Sequence, residues 1–256
     1  LTVINSVFRN NVATNTYAGA IYKDGDYGLT IINSTFENNS ARTYAGALYI
    51  MSDSRYNKTI INTTFVNNDG CRAGAIYTSL APLYITNCSF IGNKAIDKNT
   101  GYEASGGAIY DHSSELTIVN TEFINNTADE NGGALELGNT MSTYSSGENI
   151  TDNIDWTIIK NCTFDNNYAR KEGGAIYNGK NIAYTNISDS RFINNFALVT
   201  GGVMTNYFGF IWADNCEFIN NEAGEASIIY MYGHYNYPFD FYANLTVKNS
   251  KFVNNT

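Results

Sequence analysis

Proline and histidine are almost missing from this chain, with two of each among 256 residues. So little proline suits a body made of paired strands, because Pro cannot donate to a strand ladder. His112 and His234 stand in no recognised catalytic motif, so imidazole chemistry has little to draw on. Cationic side chains are also scarce, with 15 Lys and Arg against 24 Asp and Glu and a net charge of −9. That balance argues against nucleic acid as a partner, since binding there depends on neutralising phosphates. No run of 18 apolar residues appears, so no transmembrane helix is expected within this segment, and no signal peptide is visible. The four cysteines form no CxxC pair and have no interleaved histidine, which excludes a zinc-finger reading. No apolar period of 3.6 residues is present, and the Leu-x-x-Leu-x-Leu spacing of leucine-rich repeats is absent, so neither a helical nor a leucine-rich repeat fits.

What is abundant is asparagine, 38 residues, with 20 tyrosines and 14 phenylalanines. The asparagines fall into a two-part phrase that recurs from end to end. Its first half is Phe-x-Asn-Asn, on Phe8, Phe36, Phe65, Phe90, Phe123, Phe164, Phe192, Phe218 and Phe252. Phe90 alone is followed by Gly92-Asn93 instead of a pair of asparagines. Its second half is Gly-Ala-Ile-Tyr, clearest at Gly107-Ala108-Ile109-Tyr110 and Gly174-Ala175-Ile176-Tyr177. Self-similarity at such a period means a stack of like units.

Each unit reads in three pieces: a β-branched strand leading into Phe, an Asn-Asn turn, and the Gly-Ala-Ile-Tyr strand. The residue five before each Phe is apolar throughout, as at Ile31, Ile60, Ile118 and Ile159, and is expected to face inward with the Phe. These features predict an all-β chain, a parallel β-helix or solenoid of about eight to nine coils, in which like residues stack about 4.8 Å apart. The expected structural ladder comprises Phe36, Phe65, Phe90, Phe123 and Phe164, with Asn33, Asn62, Asn87, Asn120 and Asn161 three residues before Phe and Asn39, Asn68, Asn126 and Asn167 three after it. Stacked amides can bond along the axis, and Asn tolerates the left-handed backbone of tight turns. Cys88, Cys162 and Cys216 occupy the column two before Phe, where other coils carry Ser or Thr. They are two coils apart, roughly 9.6 Å by the strand spacing, beyond the reach of a disulfide. Cys71, on a turn, is read as free or reactive.

The phrases Gly106-Gly107-Ala108-Ile109-Tyr110 and Phe123-Ile124-Asn125-Asn126 resemble the repeat of the chlamydial polymorphic outer-membrane proteins. In its Asn- and Tyr-rich version the chain is also similar to the adhesin-like surface proteins of methanogenic archaea. The resemblance covers almost the whole chain. It implies a right-handed β-helix, an extracellular cell-surface setting and a non-enzymatic scaffold or stalk for adhesion, without naming a ligand; fold alone does not supply function. Leu1 already lies inside a repeat and the chain stops just after Asn254-Asn255-Thr256, so residues 1–256 are expected to be one segment of a longer chain, with signal and anchor outside it.

The rival reading is a polysaccharide lyase or glycoside hydrolase, which needs carboxylates about 5 to 9.5 Å apart. The columns directly before and after Phe, and six before it, place no acids on adjacent coils. A third reading is a self-assembling filament or sheath, in which open coil ends pair strand to strand. No cofactor is expected. Asp24-Gly25-Asp26 could suggest calcium, but the phrase does not recur and reads as a solvated turn.

Specific recognition is expected where the repeat is interrupted: at residues 94–105, 137–155 and 230–244. The last contains Tyr230, Tyr232, Tyr235, Tyr237, Phe239, Phe241 and Tyr242. This is either a recognition loop for cell-surface glycans or proteins, or a loop folded back over the rod. Tyr22, Tyr49, Tyr77 and Tyr110 form a column on which alternation puts Tyr with Ala and Ile with Gly. If that face points outward the tyrosines make an exposed stripe; if inward, they are core. Asn57, Asn149, Asn186 and Asn244 open N-x-Ser/Thr sequons and are the expected glycan sites.

Overall fold

The computed structural model describes the whole chain apart from residues 16, 26, 52–55, 81, 113–114, 139–154, 180–182, 208, 237–238 and 242. Among the described residues every regular element is a strand. Four parallel sheets run the length of the molecule, two of nine strands and two of eight, and each strand bonds to its counterpart one repeat earlier and later. The chain is therefore a parallel β-helix. One coil passes through Lys58–Ile61, Thr64–Val66, Asp69–Gly70 and Ile76–Ser79. We call the sheets containing these strands the leader sheet, the Phe sheet, the short sheet and the Tyr sheet. The short sheet is absent from the three-piece sequence reading. Its strands in most coils are two residues long, such as Ser40–Ala41 and Thr127–Ala128, too short to carry a period of their own.

Register is one-to-one in the leader, Phe and Tyr sheets, so Phe65 pairs with Phe36 and Phe90, and Ile60 with Ile31 and Ile85; the short sheet shifts by one residue between Ala197 and Thr200. From Phe8 to Phe252 every successive pair of rings is stacked, with centroids 4.7–5.3 Å apart and planes within 8°. Phe36 through Phe218 are fully buried. Burying each ring contributes on the order of 2–3 kcal/mol, and each stacked contact adds about 0.5–1.5 kcal/mol. Opposite the Phe column lie Leu48, Ile50, Ile76 and Ile109, which close the same core.

The asparagine columns divide the work. The residues three after Phe form the ladder. Asn39 donates from both its backbone N and its Nδ2 to Asn68 Oδ1, at 3.0 and 2.9 Å, and its Nδ2 also donates to the Phe8 carbonyl at 3.0 Å. The pattern repeats without a break from Asn11 to Asn255. Each interior amide accepts twice and donates twice, which permits complete burial of Asn39, Asn68, Asn93, Asn126, Asn167, Asn195 and Asn221. The residues three before Phe serve the turn. Asn33, Asn62, Asn87, Asn120 and Asn161 all have φ between 49° and 53° and are exposed. Asn120 and Asn161 also donate one coil back, to Asn87 at 3.1 Å and to Asn120 at 2.8 Å, whereas Asn33 and Asn62 lie outside that chain of side-chain bonds. A second left-handed corner sits two after Phe, where Gly92 replaces Asn at φ 63°. Only Gly and Asn take that conformation readily, which explains the one departure from Asn-Asn.

The Gly-Ala bend corrects the expected alternation. Ala47, Ala75, Ala108 and Ala134 face the main core together with the Ile or Leu that follows them. The backbone turns between Ala and Ile, so that both N–H groups of a step, Ala47 and Leu48 for instance, donate to the same carbonyl of Ala75. The preceding glycine lies against the next coil. A Cβ on Gly107 would sit 1.9 Å from the Gly133 carbonyl oxygen and 2.7 Å from the Thr127 backbone.

Asn126→Ala removes the acceptor for two Asn93 donors and the donor to the Phe90 carbonyl. It is expected to cost about 4 kcal/mol, at 1–3 kcal/mol for each buried group left unpaired, whereas Asn62→Ala at the exposed corner costs about 1–2 kcal/mol. Urea unfolding of the two variants measures the difference. Gly107→Ala is expected to lose about 3 kcal/mol through backbone overpacking, read as a lower urea midpoint.

Candidate interaction surfaces

The Tyr column points away from the main core, yet it is not an exposed stripe. Tyr49, Tyr77 and Tyr110 are buried, and only Tyr22 is open, at 47% exposure. Tyr49 and Tyr77 stack at 5.0 Å with planes 3° apart, and Tyr77 and Tyr110 at 5.3 Å. Three further side chains cover them. Tyr44 packs edge-on against Tyr49 and Tyr77 at 5.1 Å. Arg72 sends Nη2 to the Tyr110 hydroxyl at 3.0 Å. Its guanidinium lies 4.7–5.7 Å from the ring centroids of Tyr44, Tyr77, Tyr102 and Tyr110. Tyr102 belongs to the 94–105 insertion, which folds back across earlier coils. Lys98 of the same insertion binds the Asp69 carboxylate and donates to the Ala41 carbonyl at 2.7 Å. Burial pushes the Tyr77 phenol up to about 12, although Arg72 opposes the shift. The column is thus a second, smaller core on the outside of the Tyr sheet, neither of the two arrangements expected from alternation.

Three segments of this stack match the model of the Chlamydia polymorphic membrane protein (Chlamydia_PMP) repeat: residues 87–111, 120–136 and 161–179. No curated protein matches the chain. Each segment begins at the left-handed corner Asn three before Phe, at Asn87, Asn120 and Asn161. Each ends in or just past a Tyr-sheet strand. The matched unit is therefore the coil itself, with its ladder and its glycine bend.

Acids do stand on neighbouring coils, in columns other than the three read from the sequence, and both lie near Tyr177. Glu136 stands in the Tyr column between Tyr110 and Tyr177. Glu172, one coil on, accepts a hydrogen bond from the Tyr207 hydroxyl at 3.1 Å. Burial raises the Glu172 carboxyl above its ordinary value, against the Tyr207 bond and Lys171. Burial raises the Tyr177 phenol as well, and Glu136, Glu172 and Glu103 add to the effect. Reading the Tyr column for charge as well as size finds Glu136; Glu172 lies in the bend before Gly174, where no repeated acid announces it. At the other candidate, Asp24 Oδ1 accepts from the Gly25 N–H at 2.7 Å, while Lys23 Nζ donates to the Gly25 carbonyl at 2.6 Å. An ammonium on the loop carbonyl occupies an oxygen that a cation would use. Asp26 lies outside the described residues.

The aromatic insertion at 230–244 is described in part. Ile229–Met231 completes the Tyr sheet, and His234–Asn236 pairs antiparallel with Phe239–Phe241. Tyr230 is half-buried, and Tyr232 is 39% exposed with its ring 5.4 Å from Tyr207. Tyr237 and Tyr242 lie outside the described residues, as do the side chains of Tyr235, Phe239 and Phe241. Residues 139–154, with Asn149, are likewise outside. Asn57, Asn186 and Asn244 are exposed.

A further aromatic surface escaped the sequence reading. On the outer face of the leader sheet, Trp156, Tyr184 and Phe210 occupy one column on consecutive coils. Trp156 and Tyr184 stack at 4.8 Å, and Tyr184 and Phe210 at 4.9 Å. Trp212 lies 5.6 Å from Tyr184 with planes 9° apart. Trp156 is 43% exposed and the others are half-buried. Its signal lies eight residues before Phe, one alternation step beyond the column six before it.

All four thiols are free and buried. Cys71 is covered by the 94–105 insertion, with Sγ 3.0 Å from Thr100 Oγ1, which removes it as a surface nucleophile. Cys88 and Cys162 stand in for the Ser and Thr of their column. Each Sγ donates to the carbonyl two residues earlier, at 3.3 and 3.2 Å, and the Cys backbone N donates to the hydroxyl of the next coil, Thr121 or Ser190. Burial raises both thiols from 9.0 to about 11, although the nearby backbone bonds oppose it. Because the folded values lie above the unfolded ones, the unfolded chain ionises first. The stabilisation is complete below pH 9 and is lost as pH rises to about 11. The urea midpoint is expected to fall between pH 8 and pH 10.5, and less steeply in a Cys88→Ser, Cys162→Ser variant. A thiol reagent at pH 8 is expected to label the folded chain slowly and all four cysteines after unfolding.

Proposed function

We propose that this chain is a non-enzymatic β-helical scaffold of an adhesin-like cell-surface protein, a stalk that holds interaction surfaces away from the cell. One observation carries the reading. The segments that match a surface-protein repeat are coils of the Asn ladder and Phe stack, which run on unbroken to either side of them. Such a stack derives stability from every coil joint and concentrates it in no single pocket. The likeness to adhesin-like proteins of methanogenic archaea supports a role in adhesion to cells or glycans. The scaffold presents aromatic side chains outward at Trp156, Tyr184, Phe210 and Trp212, and at Tyr232. Aromatic faces with polar neighbours suit glycan or protein contact.

A polysaccharide-cleaving reading has one observation in its favour, the acids on adjacent coils at Glu136 and Glu172 with tyrosines around them. A single experiment separates the two. The chain, immobilised on beads, is challenged with a panel of neutral and acidic polysaccharides, and both retention and release of new sugar ends are measured. The scaffold reading expects retention without cleavage, reduced at least threefold in a Trp156→Ala, Trp212→Ala variant. Release of sugar ends that Glu172→Gln abolishes would replace it with the enzyme reading.

A further inference from the structure

The short sheet leads into a bend that is polar or charged on several coils, as at Arg42-Thr43, Asp129-Glu130 and Arg170-Lys171. On the seventh coil, that of Phe192, the two residues at this place are Leu198 and Val199. They are 54% and 45% exposed. Coils lie on both sides of them, so this exposure belongs to the outer surface and not to an open end. The seventh coil carries one residue more than the eighth between Ala197 and Thr200, and both side chains of the pair stand outward there. The neighbouring coils bear opposite charge. On the sixth, Arg170 and Lys171 are exposed; Lys171 is held by Glu130 at 2.9 Å, while Arg170 has no ion pair among the described residues. On the eighth, Glu222 and Glu225 are exposed and equally without an ion pair among the described residues. Gly224 lies between them, so close to the seventh coil that a Cβ would stand 2.9 Å from the Leu198 carbonyl oxygen.

We propose that this patch pairs with the same patch on a second copy of the chain, through a two-fold rotation about an axis normal to the surface at Leu198 and Val199. Such an interface is isologous, so the surface must be complementary to itself. The order positive, apolar, negative along the rod meets that requirement. The rotation sets the seventh coil on the seventh, and the sixth coil of each copy on the eighth of the other. Leu198 and Val199 bury against their counterparts. Arg170 faces Glu225 of the other copy, and the bare Gly224 leaves room for the guanidinium. Two such charge pairs form, one on each side of the axis, and fix the register of the contact. With two open apolar side chains per copy the interface is small, so the pair is transient and not obligate. The rotation also reverses the direction of the coils, so the two rods run antiparallel. Stalks rooted in one cell point the same way, and an antiparallel pair therefore joins chains from two facing cells. That last step rests on the surface reading; the pairing itself does not.

Sedimentation velocity over a concentration series reads the dimer directly. The parent chain is expected to dimerise reversibly. Arg170→Glu and Glu225→Arg each place like charges at both contacts and are expected to raise the dimer Kd about tenfold. An equimolar mixture of the two variants brings opposite charges together at both contacts, so the Kd is expected to return to near the parent value. Leu198→Ser is expected to weaken every pairing. All three positions are exposed, and circular dichroism checks that each variant keeps the β-helix. A parent chain that stays monomeric up to its solubility limit overturns the inference. So does a dimer that neither charge variant weakens, or one that both weaken and mixing does not recover. Because the assay uses the chain free in solution, its failure bears on the patch and leaves the surface reading to its own polysaccharide test.

Discussion

Everything in this molecule follows from one constraint: each coil must lie in register on the next, a strand spacing away. At that distance a side chain meets its own counterpart, so a column tolerates only residues that stack on themselves. The amide of asparagine does so completely, because it carries a double acceptor and two donors on one short stem. Asn126 is held by Asn93 behind and Asn167 ahead, and it also ties down the Phe90 carbonyl. A serine in its place would reach one neighbour at most, and an aspartate would present acceptor to acceptor with a buried charge. The Phe column meets the same demand by dispersion and ring stacking. The glycine of the Ala bend meets it by having no side chain to stack.

Where a column departs from its rule, the departure is chemically matched. Gly92 substitutes for Asn at a corner whose φ is 63°, and the cysteines substitute for hydroxyl residues while still donating to a carbonyl. Cys88 and Cys162 are separated by a coil that carries Thr121, so no two thiols are stacked. The exposed ion pairs Arg9–Glu37 and Arg191–Glu217 are cross-strand neighbours of the same kind. Being solvated, they contribute little to stability; they keep like charges from meeting in those columns.

The same rule decides what is legible in the sequence. Columns are legible because one residue type recurs in each: the Phe stack, the inward Ile position and the Asn ladder can be numbered from recurrence alone. The short sheet is not, because two residues such as Thr127–Ala128 carry no alternation. The orientation of the Tyr column stays open for a different reason. Its burial depends on Arg72 and Tyr44 from neighbouring bends and Tyr102 from an insertion, and these converge only after coiling. The same holds for Glu172 and Tyr207, 35 residues apart in the chain and 3.1 Å apart in space. The coil repeat announces what stacks along the axis. Contacts between different columns on the outer surface carry no such signature.

That distinction also separates scaffold from site. A residue repeated in every coil is accounted for by stacking, and its recurrence says nothing about a ligand. A residue that breaks its column, on an outer face where the core does not demand it, is accounted for by nothing in the stack. The leader sheet shows the contrast along a single column: Thr30 and Thr59 are β-formers on an outer face, whereas Tyr84, Ile158 and Trp212 break the column there. The rings of Trp156, Tyr184, Phe210 and Trp212 are held partly in water, although the β-helix would close equally well with threonine there. An apolar surface that the fold does not require is expected to be covered by something outside it.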